Sequence, residues 1–99
     1  MTEIFPDKEI KQKTKVITQE FLRERTMTAF AKELGIDASP QMVFHWKTGK
    51  QAPSVETLIK VLRSPAATIE ARKWARKCYV SILKFHGVVD VDQFIESKE

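Results

Sequence analysis

The sequence has few of the residues on which metal centres, disulfide scaffolds and active sites depend. Its 99 residues include one cysteine, Cys78, and two histidines, His45 and His86. A single cysteine cannot form an internal disulfide, and neither histidine has a second ligand at a metal-binding spacing. Nothing in the sequence suggests a nucleophile with its base. We therefore expect no metal, no cofactor and no enzymatic activity, and we assign Cys78 to the core.

Glycines and long apolar runs are also scarce. The three glycines, Gly35, Gly49 and Gly87, each follow a helical pattern and are explained as helix ends, which leaves no glycine-rich phosphate loop. No apolar run approaches the ~20 residues that span a membrane. The first residues lack a basic region followed by an apolar core, so they do not predict a secretory signal. We expect a protein of a reducing, cytoplasmic compartment with no membrane contact.

Positive charge is concentrated in one part of the chain, whose net charge is +4. Residues 1–38 contain seven Lys or Arg and seven Asp or Glu. Residues 39–86 contain nine against two, and residues 87–99 contain one against four. A basic middle segment is typical of a surface that faces phosphates, and a solvated basic face is the alternative.

Two short helices are predicted between residues 26 and 53. The first opens at Thr26 or Thr28, whose hydroxyls can accept from a first-turn amide, and it ends at Gly35. The second covers residues 40–47, with Ser39 as its N-cap and a proline at its first position.

The second of these helices has an unusual outer side. Val43 and Trp46, three residues apart, can face a core. The outward positions are then Gln41, Phe44, His45 and Thr48. A glutamine amide can bond adenine in two places, and an aromatic ring can contact the thymine methyl group. This side is therefore suited to presenting hydrogen-bonding and apolar groups to a groove.

The whole chain predicts an all-α fold, a compact bundle of about five helices. We divide it into an N-terminal arm (1–6), a helical domain (7–86) and an acidic tail (87–99). A first helix over residues 8–25, capped by Asp7, carries an apolar stripe. Its early lysines are interpreted as a solvated face rather than a nucleic-acid patch, because nearby acidic residues offset them: Lys8, Lys11, Lys13 and Lys15 against Glu3, Asp7 and Glu9.

Three more helices are predicted after residue 53. They cover residues 55–63 with Ser54 as the cap, residues 65–86 opened by Ser64-Pro65, and a short stretch capped by Asp90. The helix at 55–63 is expected to bury Val55, Leu58 and Leu62.

The long helix at 65–86 has an apolar side and a basic side. The apolar residues lie within an arc of about 100° and are assigned to the core: Ala67, Ala71, Trp74, Ala75, Cys78, Ile82 and Phe85. The basic residues on a separate arc face either a phosphate backbone or solvent: Arg72, Lys73, Arg76, Lys77 and Lys84. Ile69, Val80 and Leu83 lie among or beside the basic residues, so we consider them candidates for a dimer seam.

Ten positions between residues 16 and 63 follow one ordered pattern. They are Ala31, Leu34, Gly35, Ile36, Ser39, Val43, Trp46, Gly49, Pro53 and Leu58. The pattern resembles the Cro and phage-repressor type helix-turn-helix family (lambda-repressor-like), with a turn about two residues longer than the common family spacing. The resemblance implies a small all-helical domain that binds double-stranded DNA as a homodimer, with the second motif helix in the major groove.

The resemblance also implies roles for single residues. Gln41, Phe44 and His45 would read base edges. The phosphate contacts would be Thr26, Met27 through its backbone amide, Thr28, Ser39, and Lys50 with the amides around Gly49. Two alternatives stay open, namely that Gln41 is a plain surface amide and that the longer turn rotates Phe44 into the core.

One expected ion pair joins the first helix to the reading helix. Family members often pair an arginine in the first helix with a glutamate just after the tryptophan-like position. Glu20 and Lys47 hold these positions with the signs exchanged, so we hypothesise the same bridge in reverse. Two independent surface charges are the alternative, and an exposed pair would contribute only ~0–1 kcal/mol.

Two functions follow from these patterns. The first is a transcriptional regulator of the phage or mobile-element kind, a repressor in the simplest case, associated with the nucleoid when it is bound. The second is an antitoxin or protein-interaction module, in which the long last helix and the acidic tail mask a toxin and DNA binding serves autoregulation. A small protein that co-purifies in stoichiometric amount would favour the second.

Overall fold

The computed structural model describes residues 4–23, 25–85 and 87, with side chains from residue 8 onward. The helices are α1 (Ile4–Phe21), α2 (Met27–Glu33), α3 (Pro40–Thr48), α4 (Val55–Arg63) and α5 (Ile69–Phe85). All regular structure in these residues is helical, which confirms the predicted all-α class. Within the same residues, no helix combines the length and the apolar character that crossing a membrane requires.

Hydroxyl side chains cap the starts of four helices, each accepting a first-turn amide that has no partner within its helix. The N···O distances are 3.0 Å for Ala29 to Thr26, 3.3 Å for Met42 to Ser39, 3.1 Å for Thr57 to Ser54 and 3.1 Å for Ala71 to Thr68. The starts predicted for α2, α3 and α4 are therefore confirmed, with Thr26 rather than Thr28 as the cap of α2.

The predicted start of the last helix at Ser64-Pro65 was wrong. The helix begins at Ile69 behind the Thr68 cap. Ser64 is buried at the end of α4, where its Oγ donates to the Gly35 carbonyl at 2.6 Å. The same Oγ accepts from the Ala66 amide at 3.2 Å. This hydroxyl is thus committed to a tertiary contact, which a Ser-Pro pattern does not reveal.

The first helix is shifted towards the N-terminus relative to the expected 8–25. It begins at Ile4, and Pro6 is tolerated because the first-turn amides have no acceptor within the helix. It ends at Phe21, whose carbonyl accepts from Arg25 Nη1 at 2.6 Å, a common way to satisfy the last carbonyls of a helix. The Asp7 side chain and the helix expected after Asp90 lie outside what the structure describes.

Trp74 of α5 lies at the centre of the core, where four helices meet. Its ring stacks on Trp46 of α3, with centroids 5.2 Å apart, and meets Phe30 of α2 edge-on at 5.3 Å. Its indole N–H donates to Thr18 Oγ1 of α1 at 3.0 Å. A buried indole needs such a partner, so one side chain joins α1, α2, α3 and α5.

Most of the apolar side predicted for the last helix is buried. The buried members are Ala71, Trp74, Ala75, Cys78 and Ile82, while Ala67 is half-buried and Phe85 is exposed. Burial raises the pKa of the Cys78 thiol because the anion would lose its hydration. Cys78 is therefore a core residue, as expected from the sequence.

Two predictions about apolar residues were wrong. Val55 is exposed, because the buried face of α4 is centred between Leu58 and Val61 and leaves Val55 at its edge. Leu83, a candidate for the dimer seam, is only 7% exposed and packs within the core. Of the other two candidates, Ile69 is 72% exposed and Val80 is half-buried against the core.

Candidate nucleic-acid interface

α3 has one side packed against the protein and the other open. Val43 and Trp46 are buried, and the helix contacts both α1 and α2. Gln41, Phe44 and Thr48 are exposed, and Phe44 keeps 44% of its surface accessible. The inward positions of Val43 and Trp46 and the outward positions of Gln41, Phe44 and Thr48 are confirmed, and the alternative in which Phe44 joins the core is excluded for this chain.

The turn between α2 and α3 packs tightly against the loop between α4 and α5 at Gly35. Gly35 has φ +70°, and a Cβ there would lie 2.6 Å from Ser64 Oγ and 2.7 Å from the Ala66 carbonyl carbon. The Ala38 amide then donates to the Ile36 carbonyl at 2.9 Å, which makes the rest of the turn tight. Ser39 caps α3 as predicted, so the outward residues keep the helical phase assigned from the sequence.

The backbone amides that follow α3 are already bonded. Gly49, in the left-handed conformation, donates to the Trp46 carbonyl at 3.4 Å. Lys50 and Gln51 both donate to the His45 carbonyl, at 3.0 and 3.2 Å. The expected phosphate contacts through amides around Gly49 therefore need correction, because these groups close the helix. The exposed side chain of Lys50 remains available.

The contact between α1 and α3 differs from the expected ion pair. Glu20 lies 3.9 Å from Lys77 Nζ of α5, and the described residues contain no bridge between Glu20 and Lys47. Instead, Gln19 Nε2 donates to the main-chain carbonyl of Lys47 at 2.9 Å. The predicted pairing was wrong, since helical phase brings Glu20 to the α5 side of α1 and Gln19 to the α3 side.

The other predicted phosphate contacts lie at the starts of α2 and α3. Thr26, Thr28 and Ser39 are exposed, whereas the Met27 side chain is half-buried against the core. Thr26 and Ser39 each accept an amide of their own helix, which leaves the hydroxyl proton free to donate to an anion. Capping and a phosphate contact are therefore compatible in both residues.

His45 is less open than the sequence suggests. Its side chain is half-buried, and Nδ1 is shielded from solvent with no hydrogen-bond partner. Its ring meets Phe44 edge-on, with centroids 6.2 Å apart. Only Nε2 can reach an external group, so His45 can offer one hydrogen bond where Gln41 can offer two.

Lys15 of α1 is the residue of this surface that sequence reasoning missed. The lysines of α1 were interpreted as a solvated face, because helical phase alone does not say which neighbour a side faces. In the structure Lys15 is half-buried beside the end of α3, where a Cβ at Gly49 would lie 3.0 Å from Lys15 Cδ.

Comparison with known proteins identifies no relative of this chain. No family model matches the chain, and searches of curated proteins and of solved structures also return no match. The assignment of this surface therefore depends on its own residues and geometry, together with the motif pattern in the sequence.

Proposed function

We propose that the protein is a sequence-specific regulator of transcription that binds double-stranded DNA with α3 in the major groove. The observation that carries the proposal is the two-sided packing of α3. Val43 and Trp46 anchor it to the body of the protein, and an amide, a phenyl ring and an imidazole nitrogen remain outside. A capped helix that exposes such groups is of the size that the major groove admits.

Base recognition would come from three neighbouring side chains. Gln41, exposed in the first turn of α3, would bond the N6 and N7 positions of an adenine. Phe44 follows one turn later and would contact a thymine methyl group, and His45 Nε2 would bond one further base edge. Because Gln19 holds the main chain of Lys47 at 2.9 Å, the reading helix is fixed to α1 rather than free to rotate.

Phosphate contacts would flank the reading helix and set its register. Thr26, Thr28 and Ser39 would donate at one end, and Lys50 would pair with a phosphate at the other. Such contacts supply much of the affinity and make it depend on salt, whereas the base contacts supply the specificity. We assign the protein to the cytoplasm, where it would be associated with the nucleoid when bound.

The proposal is tested by selecting bound sequences from a random duplex pool. We expect one enriched sequence with an adenine-containing core, arranged as two half-sites. Retention that shows no enrichment, and that is no stronger than for an unstructured basic peptide of equal charge, would contradict the proposal.

An antitoxin or other interaction module is the second candidate. A groove of about 470 Å³ between α1 and α5 favours it, because the groove is lined by Ile17, Val80 and basic residues of α5 including Lys73 and Lys77. Purification from the native host separates the two candidates. A stoichiometric small protein partner without which DNA is not bound would support the second, and tight binding to DNA by the chain alone supports the first.

A further inference from the structure

We infer that Lys15 and Lys50 form one phosphate-binding site across α1 and the loop after α3, so that α1 takes part in holding the DNA backbone. This inference rests on the proposed DNA binding and adds a residue outside the helix-turn-helix segment. Four observations support it. The Lys15 side chain packs along Gly49, Gly49 has no side chain of its own, the local charge is positive, and both lysines lie next to α3.

The path of Lys15 is defined by its neighbours. Lys15 and Gln19 are one helical turn apart and therefore lie on the same side of α1. Gln19 contacts the Lys47 carbonyl at 2.9 Å, so this side faces the C-terminal end of α3. The Lys15 stem passes over Gly49, since Cβ, Cγ and Cδ all lie within 3.7 Å of the position that a Gly49 Cβ would occupy.

Gly49 allows this approach for two reasons. Its φ of +80° is a conformation that other residues adopt at a cost, and its lack of a side chain leaves room for the Lys15 stem. A lysine that buries its stem along a surface keeps its ammonium group in water. The half-buried state of Lys15 fits this arrangement, in which the stem packs on Gly49, the residue before Lys50.

The local charge favours an anion. The segment 47–53 contains Lys47 and Lys50 and no acidic residue. Within the described part of the chain, neither Lys15 nor Lys50 lies within ion-pair distance of a carboxylate. Lys15, whose stem packs on Gly49, and Lys50, the next residue after Gly49, both lack a carboxylate partner in the described residues and lie directly beyond α3, so they suit one phosphodiester of the DNA that this helix would enter.

A purely structural role is the competing explanation. Cations near the C-terminal end of a helix stabilise it through the helix dipole, and Lys15 lies near that end of α3. In that case Lys15 would affect unfolding but not the dependence of DNA binding on salt. Both quantities therefore have to be measured on the same variants.

The test compares Lys15→Gln with Lys13→Gln. Lys13 is exposed on the same helix and lies about 200° around its axis, so both variants lose one charge but only one loses the proposed contact. The probes are the duplex enriched by selection and a random duplex of equal length. We expect Lys15→Gln to weaken binding to both duplexes alike, and to reduce the slope of log K against log salt by about 0.9, the value for one phosphate.

Three further measurements complete the test. Lys15→Arg should restore the slope, since it restores the charge. Lys15→Gln combined with Lys50→Gln should lose less than the product of the two single fold-changes, because both residues hold one phosphate. The unfolding midpoint of Lys15→Gln should stay close to that of the unmodified protein.

Failure of this inference is distinguishable from failure of the proposed function. If Lys15→Gln behaves like Lys13→Gln while Lys50→Gln still weakens binding, Lys15 is not a phosphate contact and the proposed function stands. If Lys15→Gln changes only the unfolding midpoint, its role is structural and the inference is overturned. If neither Lys50→Gln nor Gln41→Ala changes binding, the proposed function fails as well.

Discussion

The indole N–H of Trp74 donates a hydrogen bond to Thr18 Oγ1 at 3.0 Å. Both residues are fully buried, and the bond joins α5 to α1. Because Trp74 also stacks on Trp46 of α3, this bond helps to hold the ring against which α3 packs. A polar contact on the far side of the core therefore contributes to the position of α3.

Thr18→Val should destabilise the protein by about 1–3 kcal/mol, because the indole N–H loses its partner in a site that excludes water. Valine has almost the same shape as threonine, so packing is little changed. Urea unfolding followed by tryptophan fluorescence measures the difference.

Thr14→Val is the matched control for that change. Thr14 is equally buried, but its hydroxyl donates only to carbonyls of its own helix, to Ile10 at 2.9 Å and Lys11 at 3.3 Å. No buried donor is left unpaired in this variant, so its free energy of unfolding should fall less than that of Thr18→Val. Equal losses at positions 14 and 18 would show that the bond to Trp74 contributes nothing specific.

Side-chain partners across helices were the hardest feature to predict at this scale. A period of 3.6 residues identifies which side of a helix is apolar, so the burial of Val43 and Trp46 followed from the sequence. The same period does not identify the helix that faces each polar side. For this reason Glu20 was paired with Lys47 instead of Lys77, and Lys15 was placed on a solvated face.

At the scale of elements, the turn between α2 and α3 sets the position of α3. Gly35→Ala should be strongly destabilising. The left-handed conformation costs alanine about 1–2 kcal/mol. The added methyl group would also collide with the loop between α4 and α5, which adds about 1–3 kcal/mol for an overpacked site.

Gly87→Ala separates the cost of the left-handed conformation from the cost of the steric collision. Gly87 has φ +86°, close to that of Gly35, but a Cβ there would meet none of the described residues within 4 Å. The unfolding midpoint should therefore fall much less for Gly87→Ala than for Gly35→Ala. Similar midpoints for the two variants would contradict the proposed close packing of the turn.

Helix starts were predictable where the capping hydroxyl serves only its own helix. Thr26, Ser39 and Ser54 behave in this way, and their helices begin where the sequence indicates. Ser64 instead bonds the Gly35 carbonyl of a distant turn, and Thr68 caps α5 while its hydroxyl also lies 3.1 Å from Glu33 Oε1. Local capping rules do not include such tertiary partners.

At the scale of the whole molecule, Ile69 is the most exposed of the residues predicted to lie in a dimer seam. It is 72% exposed at the start of α5, and with Val80 it is what remains of the expected dimer seam. If the protein binds DNA as a two-fold dimer, the half-sites should lie ~34–36 Å apart, one turn of the double helix.

If Ile69 lies in a dimer contact, Ile69→Glu should shift the protein towards the monomer, because the charge would be buried in that apolar contact. An acidic residue in the first turn of α5 is compatible with the helix dipole, so folding should be retained. Val16→Glu places the same charge at another exposed apolar residue, on α1, and should leave the mass unchanged. Sedimentation equilibrium measures both, and equal masses for the two variants would exclude Ile69 from a seam.

The central claim, that the open side of α3 reads bases, is tested most directly by titrating Gln41→Ala against the selected duplex and a random duplex of equal length. We predict a loss of about 1–3 kcal/mol on the selected duplex and a much smaller loss on the random one. Equal losses on the two duplexes, or none on either, would contradict the claim.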